Sequence, residues 1–288
     1  MKVFITHIDT ACVLININGF KILTDPTLNN KDGWLPQYVS KPLAFSKKYI
    51  DPALSNEEIG KVDLVLLSHD HHKDNLDKNG KAFIKTVPVV LSTTDAVERL
   101  KNDNTVGLEN WQEYKITDER VKGLKITAIP AQHTNIKRLD KLMGKVLGFT
   151  IEWEGQENGC IYISGDTVLF EGVYELAKRK KVDVAILHLG AGAFPYLKKN
   201  LRLTMNGEEA IKTTNLLNAN YVIPIHYEGW WHFKQSVKSL RNEIENSNVQ
   251  DKFIWLKSGI QTEIIRENKC INVEHHNKTI KTDLTLKI

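Results

Sequence analysis

Residues 62–67, apolar except for Asp63, run directly into Ser68-His69-Asp70-His71-His72-Lys73-Asp74-Asn75-Leu76-Asp77. A short apolar run without alternation reads as a strand buried on both faces, the mark of an α/β sheet. The same grammar recurs along the chain. Residues 87–91, 124–130, 182–189 and 221–225 read as strands, and 146–153 with 160–164 as a strand pair. Residues 81–86, 95–101, 172–180 and 233–246 read as helices, as does 207–217, capped by Asn206. Near the N-terminus, β-rich runs flank Asn18-Gly19, a hairpin signal. Residues 27–58, with Pro36, Pro42 and Pro52, read as a long irregular loop. Residues 253–288 read as a β-rich tail. The expectation is one α/β domain spanning residues 1–288.

Composition narrows the classes further. Of 288 residues, 41% are hydrophobic and 26% charged, with a net charge of +4. That is the balance of an ordinary globular protein, without the dense basic stripe that tracks nucleic acid. No apolar run reaches the roughly 20 residues needed to span a bilayer. The first seven residues already turn polar, which argues against a signal peptide and for a cytoplasmic protein. Cys12, Cys160 and Cys270 are scattered and odd in number. They suggest neither a disulfide framework nor a thiolate metal site.

The strand ends carry the chemistry. The first buried strand ends in the cluster 69–77, the strand 124–130 in His133, 160–164 in Asp166 and 221–225 in His226. Ligands collect at the carboxyl ends of strands in α/β sheets. Imidazole and carboxylate are the natural ligands of zinc and similar divalent ions. One His or Asp at a strand end is more often a satisfied turn residue. Three histidines and three acids in nine residues are not, because packing so many ligands together is costly without a cation.

With these motifs in view, the chain resembles the metallo-β-lactamase superfamily of metal-dependent hydrolases, in the branch of ascorbate-phosphate lactonase-like enzymes. The matching pieces are Leu23-Thr24-Asp25-Pro26, the stretch from Leu67 to Asp77, Pro130-Ala131-Gln132-His133, Ser164-Gly165-Asp166-Thr167 and Ile223-Pro224-Ile225-His226-Tyr227. They follow the family's order over about residues 1–235. The resemblance implies an αββα sandwich, two central mixed sheets flanked by helices, with a metal site along one edge.

The first motif departs from the family form His-x-His-x-Asp-His. Read back from Leu76-Asp77, the spacing gives Asp70, His72, Asp74 and Asn75. Read forward from Ser68, the residue types give His69 and His71, with Asp74 one residue late. The candidate ligands are therefore His69, Asp70, His72, Asp74, His133, Asp166 and His226, with His71 the weakest candidate. Asn75 stands where a histidine normally helps hold the second metal. The expected cofactor is one or two Zn2+ ions, with Mn2+ or Fe as alternatives. A metal-bound hydroxide would attack a small ester, lactone or phosphodiester, with Asp74 and Asp166 positioning it and taking its proton.

Asp25 reads either as a turn residue or as a carboxylate that orients a ligand histidine. His188 reads as a core or turn residue, with substrate contact as the alternative. Trp230, Trp231 and His232 are close enough to His226 in sequence to wall a pocket. Lys198, Lys199 and Arg202 point to an anionic small-molecule substrate or form an ordinary solvated loop. Nucleic acid and membranes are not expected partners. The rival to catalysis is a noncatalytic member of the fold that binds metal or ligand, since fold alone does not fix function.

Overall fold

The computed structural model describes residues 1–31, 37–40, 44–193 and 201–264. The chain opens with β1 (Val3–Asp9), β2 (Cys12–Ile17) and β3 (Phe20–Thr24), the last two joined at the expected Asn18-Gly19 turn. A short ribbon of β4 (Gln37–Ser40) and β5 (Ala44–Ser46) leads to the single-turn α1 (Asn56–Ile59). Then come β6 (Leu64–Leu66), α2 (Lys78–Phe83), β7 (Val89–Thr93), α3 (Thr94–Leu100) and β8 (Thr105–Leu108). The second half contains β9 (Glu113–Ile116), β10 (Leu124–Pro130), α4 (Lys137–Met143), β11 (Leu147–Glu152) and β12 (Cys160–Ile163). It continues through α5 (Glu171–Arg179), β13 (Val182–His188), α6 (Gly207–Leu217), β14 (Tyr221–Ile225), α7 (Val237–Glu245) and β15 (Thr262–Glu263).

The strands form two mixed sheets. One runs β15-β1-β2-β3-β6-β7-β8, antiparallel up to β3 and parallel beyond it. The other runs β14-β13-β12-β11-β10-β9, parallel across its first three strands and antiparallel across the rest. Their inner faces share one core, in which Ile15, Leu64 and Leu66 meet Ile126, Phe149 and Ile186. The opposite face of β13, with Ala185 and Leu187, packs under Leu176 of α5, Ala210 of α6 and Leu240 of α7. Outside the first sheet, Val65 and Leu67 pack with Ile59 of α1 and Phe83 of α2. Both faces of β6 and β13 are thus covered, which is why Leu64–Leu66 and residues 184–187 read as unbroken apolar runs. The layers are helix, sheet, sheet, helix: the αββα sandwich expected from the sequence.

Three differences have local causes. Residues 27–58 hold the β4–β5 ribbon and α1, whose capping box joins Ser55 and Glu58 across one turn. Edge strand β9 alternates between exposed and half-buried positions and offers little apolar signal. Among the described residues, the tail contributes the two residues of β15 to the first sheet, through Phe4↔Glu263 and Ile5↔Thr262. Residues 265–288, expected to add further β structure, lie outside the described residues, as does Cys270. Cys12 and Cys160 are buried and free. Among the described residues, no helix is long and apolar enough to cross a membrane.

Candidate metal centre

Strand β6 delivers the histidine-rich loop to the edge where the two sheets meet. Ser68 is fastened on both sides: its N–H donates to Asp25 Oδ1 (2.7 Å), and its carbonyl accepts from Leu147 N–H of the other sheet (3.1 Å). The chain then turns tightly. Leu76 N–H donates to the His72 carbonyl (2.9 Å), and Asp77 Oδ1 caps α2 by accepting from Gly80 N–H (2.8 Å). Gly165 closes the same corner at φ +60°. A Cβ there would stand 2.4 Å from the Leu147 carbonyl oxygen, so only glycine fits.

The loop and its neighbours build two clusters of potential ligands. His69, His71, His72 and His133 form the first, and Asp74, Asp166 and His226 the second; within each, ligand atoms lie within 4.8 Å of one another. His69 Nε2 is 2.9 Å and His133 Nε2 3.0 Å from His72 Nδ1. The other ring nitrogens are anchored behind. Ser68 Oγ holds His69 Nδ1 (2.9 Å), and His133 Nδ1–H donates to the Leu203 carbonyl (3.2 Å). Across the cavity, His226 Nε2 lies 3.4 Å from Asp74 Oδ2 and 3.5 Å from Asp166 Oδ1. Every residue of the second cluster is at most 3% exposed.

The sequence candidates separate as follows. His69, His71, His72, Asp74, His133, Asp166 and His226 are brought together, His71 among them although spacing made it the weakest candidate. Asp70, expected to take a ligand place from spacing, does not join them: its carboxylate accepts from Arg99 Nε (2.9 and 3.0 Å) and pairs with Nη2 on α3. That correction has an electrostatic cause, since a guanidinium already neutralises the acid. His71, the weakest candidate, is half-buried, with its Nδ1 unpartnered and its Nε2–H donating to the Met143 carbonyl (2.7 Å). Neither simple register describes the loop, because the tight turn at 72–76 carries His72 inward beside His69.

Asn75 Nδ2–H donates to Asp166 Oδ1 (3.3 Å), so its amide faces the cluster as a donor. Asp25 touches no candidate ligand histidine directly. It holds Ser68, and its Oδ2 lies 3.4 Å from His188 Nε2. His188 is fully buried behind His226, with ring centroids 5.4 Å apart and Nδ1 3.2 Å from Ser164 Oγ. Trp230 is buried and donates from Nε1 to Thr10 Oγ1 (3.1 Å), bracing the loop rather than lining the cavity. Lys198 and Lys199 lie outside the described residues, and Arg202 Nη2 pairs with Glu209 (2.7 Å). The residue that sequence reading placed only as a pocket wall is His232, whose Nε2 lies 2.9 Å from Asp74 Oδ2.

Electrostatics divide the two clusters. Burial and mutual repulsion push the His69 and His72 imidazoles well below their usual range and His133 down to about 3, leaving neutral rings with lone pairs. Burial opposes charge on His226 too, but Asp166 and Asp74 outweigh it and hold the ring protonated up to about 9. Burial raises Asp166 to about 6, whereas His232 and His226 hold Asp74 well below the usual carboxylate range against the same burial. His226 also sits at φ +59°, a strained backbone of the kind that collects at functional sites. The fit of a divalent cation rests on what the protein leaves over. Asp74 Oδ1 and both His226 ring nitrogens are buried without a hydrogen-bond partner, an arrangement that is costly unless a cation satisfies them.

Two mixed sheets under helices, with imidazole and carboxylate clusters along one edge that could each hold a metal ion, define the metallo-β-lactamase fold. The model of the beta-lactamase superfamily domain matches residues 4–226, and the chain belongs to that family. Among its relatives is the UPF0173 metal-dependent hydrolase of Caldivirga maquilingensis, 30% identical over 73% of this chain and 87% of the relative. The N-acyl-phosphatidylethanolamine-hydrolyzing phospholipase D 1 of Caenorhabditis elegans is 28% identical over 78% of this chain and 63% of that protein. In structure, the isothiocyanate hydrolase from Delia radicum gut bacteria superposes with a TM-score of 0.73 at 21% identity, covering 90% of this chain and 97% of that one.

Proposed function

We propose that the chain is a metal-dependent hydrolase that directs an activated water at a small ester-type substrate, with phosphodiesters as the favoured class. The observation that carries this reading is the convergence of both clusters on one enclosed cavity of about 10 Å³. His72 and His133 of the first cluster line it together with Asp74, Asp166 and His226 of the second, and His232 beside them. That is room for an ion or a water and little more. His69, His72 and His133 would hold one cation; Asp74, Asp166 and His226 would hold the second. Zinc suits the nitrogen and oxygen donors, and manganese or iron remains compatible with them. Divalent cations in such a place make water ionisable near neutral pH and polarise the attacked oxygen.

The chain's own groups do the rest. The anchored outer nitrogens of His69 and His133 fix the rings with a lone pair inward. Asn75 Nδ2–H holds Asp166 in place, and Asp166 and Asp74 are set to position the water and receive its proton at a carboxylate oxygen. No serine or cysteine nucleophile is needed. The 28% identical relative named as a phospholipase D supports the phosphodiester class; a lactone or carboxylic ester would use the same groups. Because Arg202 is already paired with Glu209, an anionic substrate would be met chiefly by the cations. A noncatalytic role is disfavoured, since a binding module has no need of two converging ligand sets. Two buried free cysteines support a reducing compartment such as the cytoplasm.

The test is metal analysis of purified protein, followed by hydrolysis of bis-p-nitrophenyl phosphate, an acyl lactone and p-nitrophenyl acetate by metal-free and reconstituted samples. Metal-dependent cleavage with a preference for the phosphodiester is expected. Protein that takes up neither zinc nor manganese, or cleavage that survives metal removal, would refute the reading.

A further inference from the structure

The second cluster lacks its motif histidine; Asn75 in that place offers an N–H to Asp166, and its Oδ1, a weaker ligand than an imidazole nitrogen, is buried without a hydrogen-bond partner. On the other side of Asp74 stands His232, 2% exposed, with its Nε2 2.9 Å from Asp74 Oδ2. Ser46 braces the other side of the ring. Ser46 Oγ accepts from the His232 backbone N–H (3.2 Å) and lies 2.8 Å from His232 Nδ1. A carboxylate oxygen can only accept, so the hydrogen bond to Asp74 Oδ2 requires a proton on Nε2.

The backbone braces this arrangement. Residues Ser46 to Lys48 run antiparallel beside Trp230 to His232: Lys48 bridges to Trp230, and Trp231 N–H donates to the Lys47 carbonyl (2.9 Å). Lys48 is itself pinned by a buried ion pair with Asp9. The imidazole is therefore delivered by a paired segment rather than by a loose loop.

We infer that His232 is a positioning residue: braced by Ser46, it fixes the rotation of Asp74 so that Oδ1, buried and otherwise unpartnered, is presented to the second cation. The inference rests on the reading of Asp74 as a metal ligand. His232 acts through Asp74 rather than as a ligand, because the converging atoms are those of Asp74, Asp166 and His226, and His232 does not belong to that set. A histidine at 75 would have secured the second ion directly. Here the ion depends on how rigidly its carboxylate is held.

Full-length wild type, His232→Ala, His232→Gln, Ser46→Ala and Asp74→Asn are stripped of metal, checked for folding by thermal melting, and titrated with Zn2+ against a chelator and with Co2+ by visible absorption. Wild type should take two ions. His232→Ala should weaken the second by about 10–100-fold, the usual cost of losing such a partner, and spare the first. His232→Gln, whose amide can donate to Asp74, should recover most of the loss and the Co2+ spectrum, and Ser46→Ala should fall between. Unchanged affinity in His232→Ala would overturn the inference, as would equal weakening of both ions. Complete loss of the second ion in both His232 variants would make His232 a ligand and overturn it too. A second ion undiminished in Asp74→Asn would show that the underlying reading of Asp74 fails, and the inference with it.

Discussion

Lys48 and Asp9 are 2% and 4% exposed, and they form the ion pair that ties the segment after β5 to the end of β1. The pair is costly even when made. Burial pushes the Asp9 carboxyl from 3.8 up to about 6 although Lys48 stands beside it and Thr10 Oγ1 donates to Oδ1 (2.8 Å). Holding that group ionised at pH 8 costs roughly 3 kcal/mol. Lys48→Met keeps the apolar stem but leaves the carboxylate without its cation, and breaking a buried pair from one side costs about 3–5 kcal/mol. For a domain of this size that lowers the melting temperature by about 5–8 °C. The sign with pH follows from the raised pKa. The folded state holds the Asp9 proton more tightly than the unfolded chain, so stability falls as pH rises from about 3.8 through about 6. Lys48→Met raises the folded pKa further and carries the decline to higher pH. Urea denaturation at pH 5 and pH 8 should show the larger loss at pH 8, and Lys48→Met with Asp9→Asn should recover more than half of it. A single variant that costs under about 1 kcal/mol at pH 8, or a double variant no better than the single, would refute the reasoning.

Asp166→Asn should lower metal content and hydrolysis with the fold intact; full metal content in the folded variant would remove Asp166 from the ligand set. Asp70→Asn should keep its metal, because the carboxylate serves Arg99. Its stability loss should be modest, about 1 kcal/mol, since Arg99 is 42% exposed and screened by solvent; loss of metal would restore the spacing register. Calorimetric zinc titration at pH 7.5 in buffers of different ionisation enthalpy should find about one proton released with the ion bound by Asp74, Asp166 and His226. His226 is protonated up to about 9 and must give up its proton, while the His69, His72 and His133 rings are already neutral. Proton release shared equally by both ions would contradict that division.

The layers of this protein were legible because each strand's chemistry is local. Strand β6 and residues 184–187 of β13 are apolar at successive positions, and only a sheet covered on both faces accepts that pattern. The strand ends at His133, Asp166 and His226 were legible for the same reason, since each follows directly from an apolar run. Period-2 or unbroken patterning says little about weakly buried pieces, so edge strand β9, the β4–β5 ribbon and α4 escaped it. The identity of the metal family lay in five ordered motifs that the sequence presents without any folding.

Which side chains meet is another matter. Spacing along 68–77 favoured Asp70, but an arginine on α3, 29 residues away, takes that carboxylate. His72 reaches His69 and His133 only because the loop turns sharply before α2. His232 stands 158 residues from Asp74, and Ser46 stands 186 residues from His232; the unfilled histidine place at 75 is the one sequence signal that something else must brace the second ion. Strand identity is decided by neighbours along the chain, whereas a metal centre is decided by the distances between strand ends. Those distances exist only once the two sheets have closed on their common core.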